Sequence, residues 1–250
     1  MKIIASYSIK GGVGKTAASV NLAYASAKAG NETLLIDLDP QGASSFYFRI
    51  GVSKKEKKGL FFTKKNRLLS QIKGSNYKKL DILPANLSFR NFDIMLNNMS
   101  KSKKRLKELL SSLKNEYDLI ILDCPPNINL LSENIFNAAD MVLVPVIPTT
   151  LSERTYEQLL TFFDNNGYKR KKVRPFFSMA QSTNKLHRQT ISHMEKRHPE
   201  FLKSIISFSV EIERMGIHRE PVLAYASKKS CVHSYRTLFN EIIKIVAVKK

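Results

Sequence analysis

Apolar stretches of strand length alternate with helical stretches along most of the chain. Each apolar stretch, taken with the turn that follows it, predicts a strand buried on both faces, as in a parallel sheet. These predicted strands cover residues 3–7, 32–42, 80–86, 117–126, 141–146 and 175–179. Helices are predicted over residues 17–25, 68–72, 87–97, 103–115, 148–163 and 234–248, with a basic helix after residue 184. This alternation predicts an α/β fold, with a doubly wound, mostly parallel sheet of about seven strands and helices on both faces.

Length and composition fit a single globular domain. The chain has 250 residues, of which 43% are hydrophobic, enough for one substantial core. We therefore expect one domain over 1–250, and the segment before Lys10 leaves no room for an N-terminal helix-turn-helix domain. Only two cysteines, Cys124 and Cys231, argue against a disulfide framework and for a reducing cytoplasm. No apolar run reaches the length of a membrane span, and the chain begins with a strand rather than a signal peptide.

The charge balance departs from that of an ordinary globular protein. The chain carries 41 basic and 21 acidic residues, a net charge of +20. A lysine-rich, solvated surface would account for single clusters. For the whole imbalance a polyanionic partner is the better explanation, because a strong positive field attracts phosphate backbones or acidic membranes without reading sequence.

A glycine-rich turn near the start of the chain carries the strongest chemical signal. Residues 10–16 read KGGVGKT and lie between the first predicted strand and the first predicted helix. Backbone N–H groups and the helix dipole would converge there on one anion, so we expect a phosphate cradle. Lys15 would reach the β- and γ-phosphates, and the Thr16 hydroxyl would bind Mg²⁺. The strict phosphate-loop pattern requires glycine at residue 9, but Ile9 stands there and a second lysine, Lys10, follows it.

Three aspartates lie where predicted strands end. Asp37 and Asp39 close the second predicted strand, and Asp123 closes the fourth. The carboxyl ends of parallel strands meet at one edge of the sheet, where open α/β sheets bind ligands. We therefore expect these carboxylates beside the phosphate loop, with Asp123 at the position that holds Mg²⁺ through water.

These motifs resemble those of the ParA/MinD family of deviant Walker-A ATPases. The resemblance runs over essentially the whole chain and is specific at 10–16, at 37–41 (DLDPQ) and at 118–126, a strand that ends in DCPP. It implies a phosphate-loop NTPase fold with ATP and Mg²⁺ as cofactors. It also implies hydrolysis of ATP to ADP and phosphate, at a slow rate that a partner protein stimulates.

The resemblance assigns a role to each residue of the motifs. Lys10, Lys15 and Asp39 are the implied catalytic residues: Asp39 would orient the attacking water, and Lys10 would cross to the phosphates of a second subunit. The implied metal residues are Thr16, Asp37 and Asp123. The implied nucleotide-binding residues are Lys10, Gly11, Gly12, Val13, Gly14, Lys15, Thr16, Ala17, Met179 and Ser207.

Several positions near the nucleotide depart from the family pattern. Ala17 stands where relatives often have a second threonine, and Thr149 where many have glutamate. The Asp-x-Arg-Thr motif that often follows the strand at 175–179, near the adenine, is absent. Ser207 begins a Ser-Phe-Ser segment that replaces Pro-Arg-Asn. We therefore expect family-like phosphate contacts and altered adenine contacts.

The resemblance also implies partners and a cellular role. ATP would be sandwiched in a homodimer that binds DNA without sequence preference, and hydrolysis stimulated by a ParB-like or other adaptor protein would release it. The protein would be cytoplasmic and nucleoid-associated, without a membrane partner, and would segregate a plasmid, a chromosome or another cargo. The candidate DNA contacts are Arg170, Lys171, Lys172, Arg188, Arg214, Arg219, Lys228, Lys229 and Arg236.

Three other functions fit parts of the pattern. A MinD-like membrane-surface regulator of cell division or flagellar placement would need an amphipathic C-terminal extension, and only Lys249 and Lys250 follow the last predicted helix. An iron–sulfur carrier would need cysteine pairs, whereas Cys124 and Cys231 stand singly. A DNA-binding module without catalysis conflicts with the intact lysines and aspartates of the three motifs.

Overall fold

One sheet of eight strands organises the fold within the residues that the computed structural model describes, 1–51, 65–86, 96, 102–226 and 229–247. The strands are β1 Lys2–Ser6, β2 Thr33–Asp37, β3 Lys73–Gly74, β4 Leu80–Leu83, β5 Leu119–Asp123, β6 Met141–Val146, β7 Val173–Ala180 and β8 Ile205–Ser207. Their order across the sheet is β3-β4-β2-β5-β1-β6-β7-β8. All neighbours pair in parallel except β3, a two-residue strand that pairs antiparallel with β4 at the edge. The predicted mostly parallel sheet is confirmed.

The register of the central strands places polar residues side by side at the carboxyl edge. Ser6 of β1 and Asp37 of β2 each lie opposite Asp123 of β5. Neighbouring strands are about 4.8 Å apart, so these three strand ends meet within one small volume.

Helices α1 to α11 cover most of the remaining described chain. They are α1 Lys15–Lys28, α2 Ala43–Tyr47, α3 Lys65–Leu69, α4 Arg105–Ser111, α5 Leu130–Ala138, α6 Thr150–Asn165, α7 Lys185–Arg197, α8 Val210–Glu213, α9 Met215–His218, α10 Val222–Tyr225 and α11 Ser230–Val246, with a 3-10 turn at Arg170–Lys172. The helix predicted over 87–97 lies outside the described residues apart from Leu96. Within the described ranges, none of the helices combines the length and the apolar character that a membrane crossing requires.

Apolar layers cover both faces of the sheet. On one face α4, α5 and α6 pack through Leu106, Phe136 and Phe163, and on the other α1 and α11 pack through Leu22 and Leu238. Burial on both faces explains why the central strands read as continuous apolar runs. The connection after β1 runs to one side through α1, and the connection after β5 runs to the other side through α5. Their carboxyl ends therefore form a topological switch point, where sheets of this kind bind ligands.

Candidate active site

The phosphate loop, residues 8–14, joins β1 to α1 through two left-handed glycines. Gly12 has φ +71° and Gly14 φ +94°, conformations that residues with a side chain rarely adopt. A Cβ at residue 14 would also lie 2.8 Å from Ser178 Oγ, so backbone and packing both demand glycine there. Gly14 is the N-cap of α1, and no described side chain caps that helix. The first N–H groups of α1 are therefore available to bind an anion.

The two lysines of the loop take different directions. Lys15 is buried, and its Nζ donates to the Lys10 carbonyl at 3.2 Å. Burial lowers the pKa of Lys15, and the Asp123 charge opposes that shift. Lys10 extends instead to the first turn of α6, where its Nζ donates to Ser152 Oγ at 3.4 Å. The loop thus closes around one lysine and directs the other toward a neighbouring helix.

Asp37 and Asp123 form a buried pair of carboxyl groups at adjacent strand ends. Asp123 accepts hydrogen bonds from Ser19 Oγ at 3.0 Å and from Ser44 Oγ at 2.6 Å. Desolvation raises the pKa of Asp123, whereas the nearby Thr16 side chain favours the charged form of Asp123 and lowers that pKa. Desolvation, the main cause, and the neighbouring Asp123 charge, the second, together raise the pKa of Asp37 to about 7. The pair therefore holds negative charge at a cost unless a cation joins it.

One carboxyl oxygen of Asp37 accepts hydrogen bonds from Ser45, and the other has no hydrogen-bond partner among the described residues. Oδ2 accepts from Ser45 N at 2.8 Å and from Ser45 Oγ at 2.7 Å. Oδ1 is buried and has no hydrogen-bond partner among the described residues. A buried, orphaned carboxyl oxygen is costly, and a hydrated cation would satisfy it. Carboxylate and hydroxyl oxygens are the hard ligands that Mg²⁺ prefers, so Thr16, Asp37 and Asp123 fit this ion.

Asp39 is the aspartate of the three that remains open to water. It lies in the turn between β2 and α2 and is partly exposed, whereas Asp37 and Asp123 are buried. Its Oδ1 accepts from Gln41 N and its carbonyl from Gly42 N, both at 2.9 Å. These local bonds fix the turn, so the carboxylate stands at a defined place beside the buried pair.

A cleft leads from the start of α1 to the ends of β7 and β8. Gly14 and Ala17 line it near the phosphate loop, and Met179 and Ser207 line it farther along. Met179 takes a left-handed backbone conformation, with φ +54°. The structure therefore brings Met179 and Ser207, the residues expected near the adenine, beside the phosphate loop, although more than half of the chain separates them from that loop in sequence.

The chain matches a known family over most of its length. The family model described as "AAA domain" matches residues 1–174. The sporulation initiation inhibitor protein Soj of Bacillus subtilis is 30% identical over 96% of this chain and 98% of its own length. The chain belongs to the ParA/MinD family of deviant Walker-A ATPases.

Further ParA-type proteins match over similar spans. The chromosome partitioning protein ParA of Myxococcus xanthus is 28% identical over 97% of this chain and 88% of its own length. An ATP complex of McdA from Cyanothece shares the fold with a TM-score of 0.81 at 18% identity, covering 100% of this chain and 98% of that chain. These likenesses confirm the phosphate-loop NTPase fold.

The candidate DNA residues of this ParA/Soj-type chain do not form one surface. Arg170, Lys171 and Lys172 lie in the turn before β7, at the amino edge of the sheet and opposite the phosphate loop. Arg170 pairs with Asp164 at 3.4 Å, and Lys172 Nζ donates to the Phe136 carbonyl at 3.1 Å. Two of these three cations are thus engaged within the subunit.

The later DNA candidates lie around the carboxyl edge and α11. Arg214 pairs with Glu211 at 3.2 Å, and Lys229 lies 3.8 Å from the same carboxylate. The others are Arg188 on α7, Arg219 after α9, Arg236 on α11 and Lys228, which lies outside the described residues. The role of these residues in DNA binding stays a prediction, and the charge pattern does not show which of them pair with acidic neighbours.

Four serines that sequence reasoning missed complete the site. Ser19, Ser44 and Ser45 hold the carboxyl pair, and Ser178 packs against Gly14. Ser19 lies one turn after Thr16 on α1, and Ser44 and Ser45 follow the DLDPQ motif after two intervening residues. That proximity to the motifs is the signal that could have found these three.

Proposed function

We propose that this ParA/Soj-type chain is an ATPase that partitions or positions a large cargo. The observation that carries the proposal is the pair of lysines in one phosphate loop, of which Lys15 stays within the loop and Lys10 extends away from it. A phosphate loop that serves only its own nucleotide makes no demand at residue 10. The relatives, a sporulation initiation inhibitor and a chromosome partitioning protein, favour this role over a MinD-like one.

Hydrolysis at this site would rest on positioning and on charge neutralisation. Lys15 and the N–H groups of α1 bind the phosphates of ATP. Mg²⁺, held by Thr16, Asp37 and Asp123, supplies positive charge to the phosphate oxygens when it is bound. Asp39 orients the attacking water, since it is the carboxylate with access to solvent. The ATP complex of McdA, which shares this fold, supports ATP as the nucleotide.

Lys10 makes ATP a switch for dimer formation. Its ammonium lies against Ser152 of its own subunit, and in a dimer it would leave that contact for the phosphates of the partner subunit's ATP. Ile128, Leu151 and Phe208 are 39%, 59% and 45% exposed and give a second copy apolar surface to cover. ATP that is bound only between two subunits stabilises the dimer by mass action, and hydrolysis releases it.

The exposed face of α7 is the best-supported DNA surface. Arg188, Ser192 and Lys196 line one shallow groove, and their four-residue spacing places them along one side of the helix. Arg197 does not line this groove and pairs with Glu153 at 2.9 Å. Dimer formation doubles the number of such contacts, so we expect non-specific, salt-dependent DNA binding by the ATP-bound dimer.

An adaptor protein of the ParB type would complete the cycle. We propose that residues 1–250 act as one domain, that the ATP-bound dimer associates with the nucleoid, and that the adaptor speeds a slow hydrolysis. The adaptor would carry the specificity for the cargo, since contacts to phosphates position a protein on DNA without reading its sequence.

Co-sedimentation with plasmid DNA and with acidic liposomes, each with ATP or ADP, tests this function. We expect the protein to sediment with DNA in ATP but not in ADP. With liposomes we expect the protein to stay in the supernatant in either nucleotide. Asp39→Ala should stay on DNA in ATP for longer than the wild type, because hydrolysis no longer releases it. ATP-dependent sedimentation with liposomes instead of DNA would overturn the assignment.

A charge-matched pair of variants tests the α7 surface. Arg188→Ala/Lys196→Ala should weaken DNA binding and reduce the salt slope by about 1 for each DNA phosphate that the variant no longer neutralises. Lys65→Ala/Lys79→Ala removes the same charge from elsewhere on the surface and should bind as the wild type does. Equal weakening in the two double variants would show that net charge, and not α7, attracts the DNA.

A further inference from the structure

Helix α2 touches both carboxyl groups of the proposed magnesium site. Ser44 Oγ donates to Asp123 Oδ2 at 2.6 Å. The backbone and hydroxyl of Ser45 donate to Asp37 Oδ2 at 2.8 and 2.7 Å. These donors belong to consecutive residues in the first turn of a five-residue helix. Any change in the position of either carboxyl group therefore acts directly on α2.

The other end of α2 is joined to the segment after α9 by two arginines. Arg49, just beyond α2, donates to the His218 carbonyl at 2.9 Å and pairs with Glu220 at 3.3 Å. In the reverse direction Arg219 Nε donates to the Phe46 carbonyl at 3.1 Å, and its guanidinium lies 4.5 Å from the centre of the Phe46 ring. We call these four contacts the arginine clasp. Each segment donates a hydrogen bond to the other, so α2 and residues 218–220 are held in one relative position.

Both arginines of the clasp keep a backbone conformation that favours glycine. Arg49 has φ +59° and Arg219 has φ +52°. Each follows the end of a short helix, where a left-handed residue is commonly glycine. Glycine would relieve the backbone, but it could not make the clasp. The side-chain contacts therefore account for an arginine at each position.

The two ends of the segment between α9 and α10 are fixed by the core, in which Met215 and Val222 are buried, and by Asn21 of α1. Asn21 Nδ2 lies 3.3 Å from the Met215 sulfur, and Asn21 Oδ1 accepts from Leu223 N at 3.2 Å. Between Met215 and Leu223 lie Ile217, which is 80% exposed, and the clasp residues 218–220. A shift of α2 would therefore move this segment while Asn21 holds its two ends.

We propose that α2 and the arginine clasp form a mechanical link from the carboxyl pair Asp37–Asp123 to residues 216–220, and so to Arg219 on the basic surface. The link rests on the proposed function, because it takes Mg²⁺ and ATP as ligands of the site. When the two carboxyl groups turn to a metal, their bonds to Ser44 and Ser45 change, and α2 moves as a unit. Coupling of this kind needs contacts that differ between two states, and the serine bonds are those contacts.

Hydrogen–deuterium exchange of the full chain, with and without Mg²⁺ and a non-hydrolysable ATP analogue, tests the link. Residues 10–16 report nucleotide binding, 42–49 report α2, and 216–220 report the far end. In the wild type we expect the exchange of all three segments to change. Arg49→Ala removes two of the four clasp contacts and leaves the two that Arg219 makes to Phe46. In this variant the first two segments should still respond, and the response of 216–220 should weaken. Arg49→Lys, which keeps the charge and one donor to the clasp, should recover part of it.

Lys79→Ala is the matched control. Lys79 also has a left-handed backbone, with φ +64°, and its Nζ donates to the Gly30 carbonyl at 2.8 Å and pairs with Glu32 at 3.2 Å. It therefore repeats the chemistry of Arg49 away from α2, and its removal should leave all three responses intact. Arg219 is left unchanged because it is a DNA candidate.

Two results would overturn the link while leaving the proposed function standing. One is a wild-type segment 216–220 that does not respond although 10–16 and 42–49 do. The other is an Arg49→Ala protein in which 216–220 responds as in the wild type. If residues 10–16 also fail to respond, nucleotide does not bind, and the proposed function fails together with the link.

Discussion

The two ends of the nucleotide cleft are built by different means. At the phosphate end, Lys15, Asp37 and Asp123 are buried, and hydrogen bonds join Lys15 to the loop and the two aspartates to α2. At the other end, Met179 and Ser207 line an open cleft whose further lining is largely apolar side chains. Phosphates and a metal demand fixed charges and donors, whereas shape and a few polar groups can hold a base. Substitutions at the first end should therefore abolish function, and substitutions at the second should only adjust affinity.

Asp123→Asn should have the largest effect. It removes charge from the proposed magnesium site, so we expect ATP hydrolysis to fall about 100-fold or more. The fold should survive, because one of the two serines can still donate to the amide oxygen and the hydroxyl oxygen of the other can accept from the amide N–H. Steady-state phosphate release measures the fall in rate, and thermal unfolding checks the fold. Asp118→Asn, at the other end of the same strand, where the carboxylate accepts from Glu32 N at 2.9 Å, should hydrolyse ATP at the wild-type rate.

Gly14→Ala tests the place where the two ends of the cleft meet. The new Cβ would lie 2.8 Å from Ser178 Oγ, and the alanine backbone would have to keep φ +94°. We therefore expect the free energy of unfolding to fall by about 1–3 kcal/mol and nucleotide binding to weaken. Adding Ser178→Gly removes the close contact but not the backbone strain, and should restore part of the stability. Gly11→Ala is the control for urea unfolding, since nothing lies within 4 Å of its Cβ. Equal stability of the two alanine variants would contradict the packing argument.

Asp37 should make the nucleotide-free protein less stable as pH rises. Its pKa moves from 3.8 to about 7 on folding, so the folded state holds the proton more tightly than the unfolded state. The resulting stabilisation is fully present below pH 3.8 and is lost as pH rises to about 7. Asp37→Asn removes this dependence. At about pH 8 the variant should be more stable than the wild type, with a free energy of unfolding about 1–3 kcal/mol higher. Urea unfolding without nucleotide measures this difference, and an asparagine variant that is less stable at that pH would refute the assignment.

Ser207→Ala should have the smallest effect. A single hydroxyl at an open, partly apolar cleft contributes little, so we expect the Kd for ATP to change by less than about threefold. Calorimetric titration of ATP and of GTP measures both affinity and base preference. A tenfold weakening confined to ATP would mean that a specific hydrogen bond reads the base at this end.

The phosphate end could be predicted from the sequence because its residues lie within short motifs. KGGVGKT lies between a predicted strand and the helix predicted over 17–25, so Lys15 and Thr16 are expected at the N-terminus of that helix, and Asp37 and Asp123 fall where apolar strands stop. The support for these acids could not be predicted, because Ser44 and Asp123 are 79 residues apart and meet only in the folded sheet. The arginine clasp was missed for the same reason.

Element ends were predicted less well than element types. The helix expected over 103–115 is Arg105–Ser111, and the one expected from residue 234 begins at Ser230. Short elements such as β3, with two residues, have no hydrophobic period to detect. The scatter of the DNA candidates has another cause: a charge pattern does not show that Asp164 or Glu211 neutralises a neighbouring arginine.

The mass of the protein in solution, measured by analytical ultracentrifugation with Mg²⁺ and a non-hydrolysable ATP analogue, tests the central claim most directly. A 28.4 kDa chain should sediment as a dimer with the analogue and as a monomer with ADP. Lys10→Ala should still bind the analogue but remain a monomer, whereas Ser152→Ala, which frees Lys10 from its contact within the subunit, should dimerise at least as readily as the wild type. A Lys10→Ala protein that dimerises with the analogue as the wild type does would contradict the claim that the second lysine makes ATP a switch.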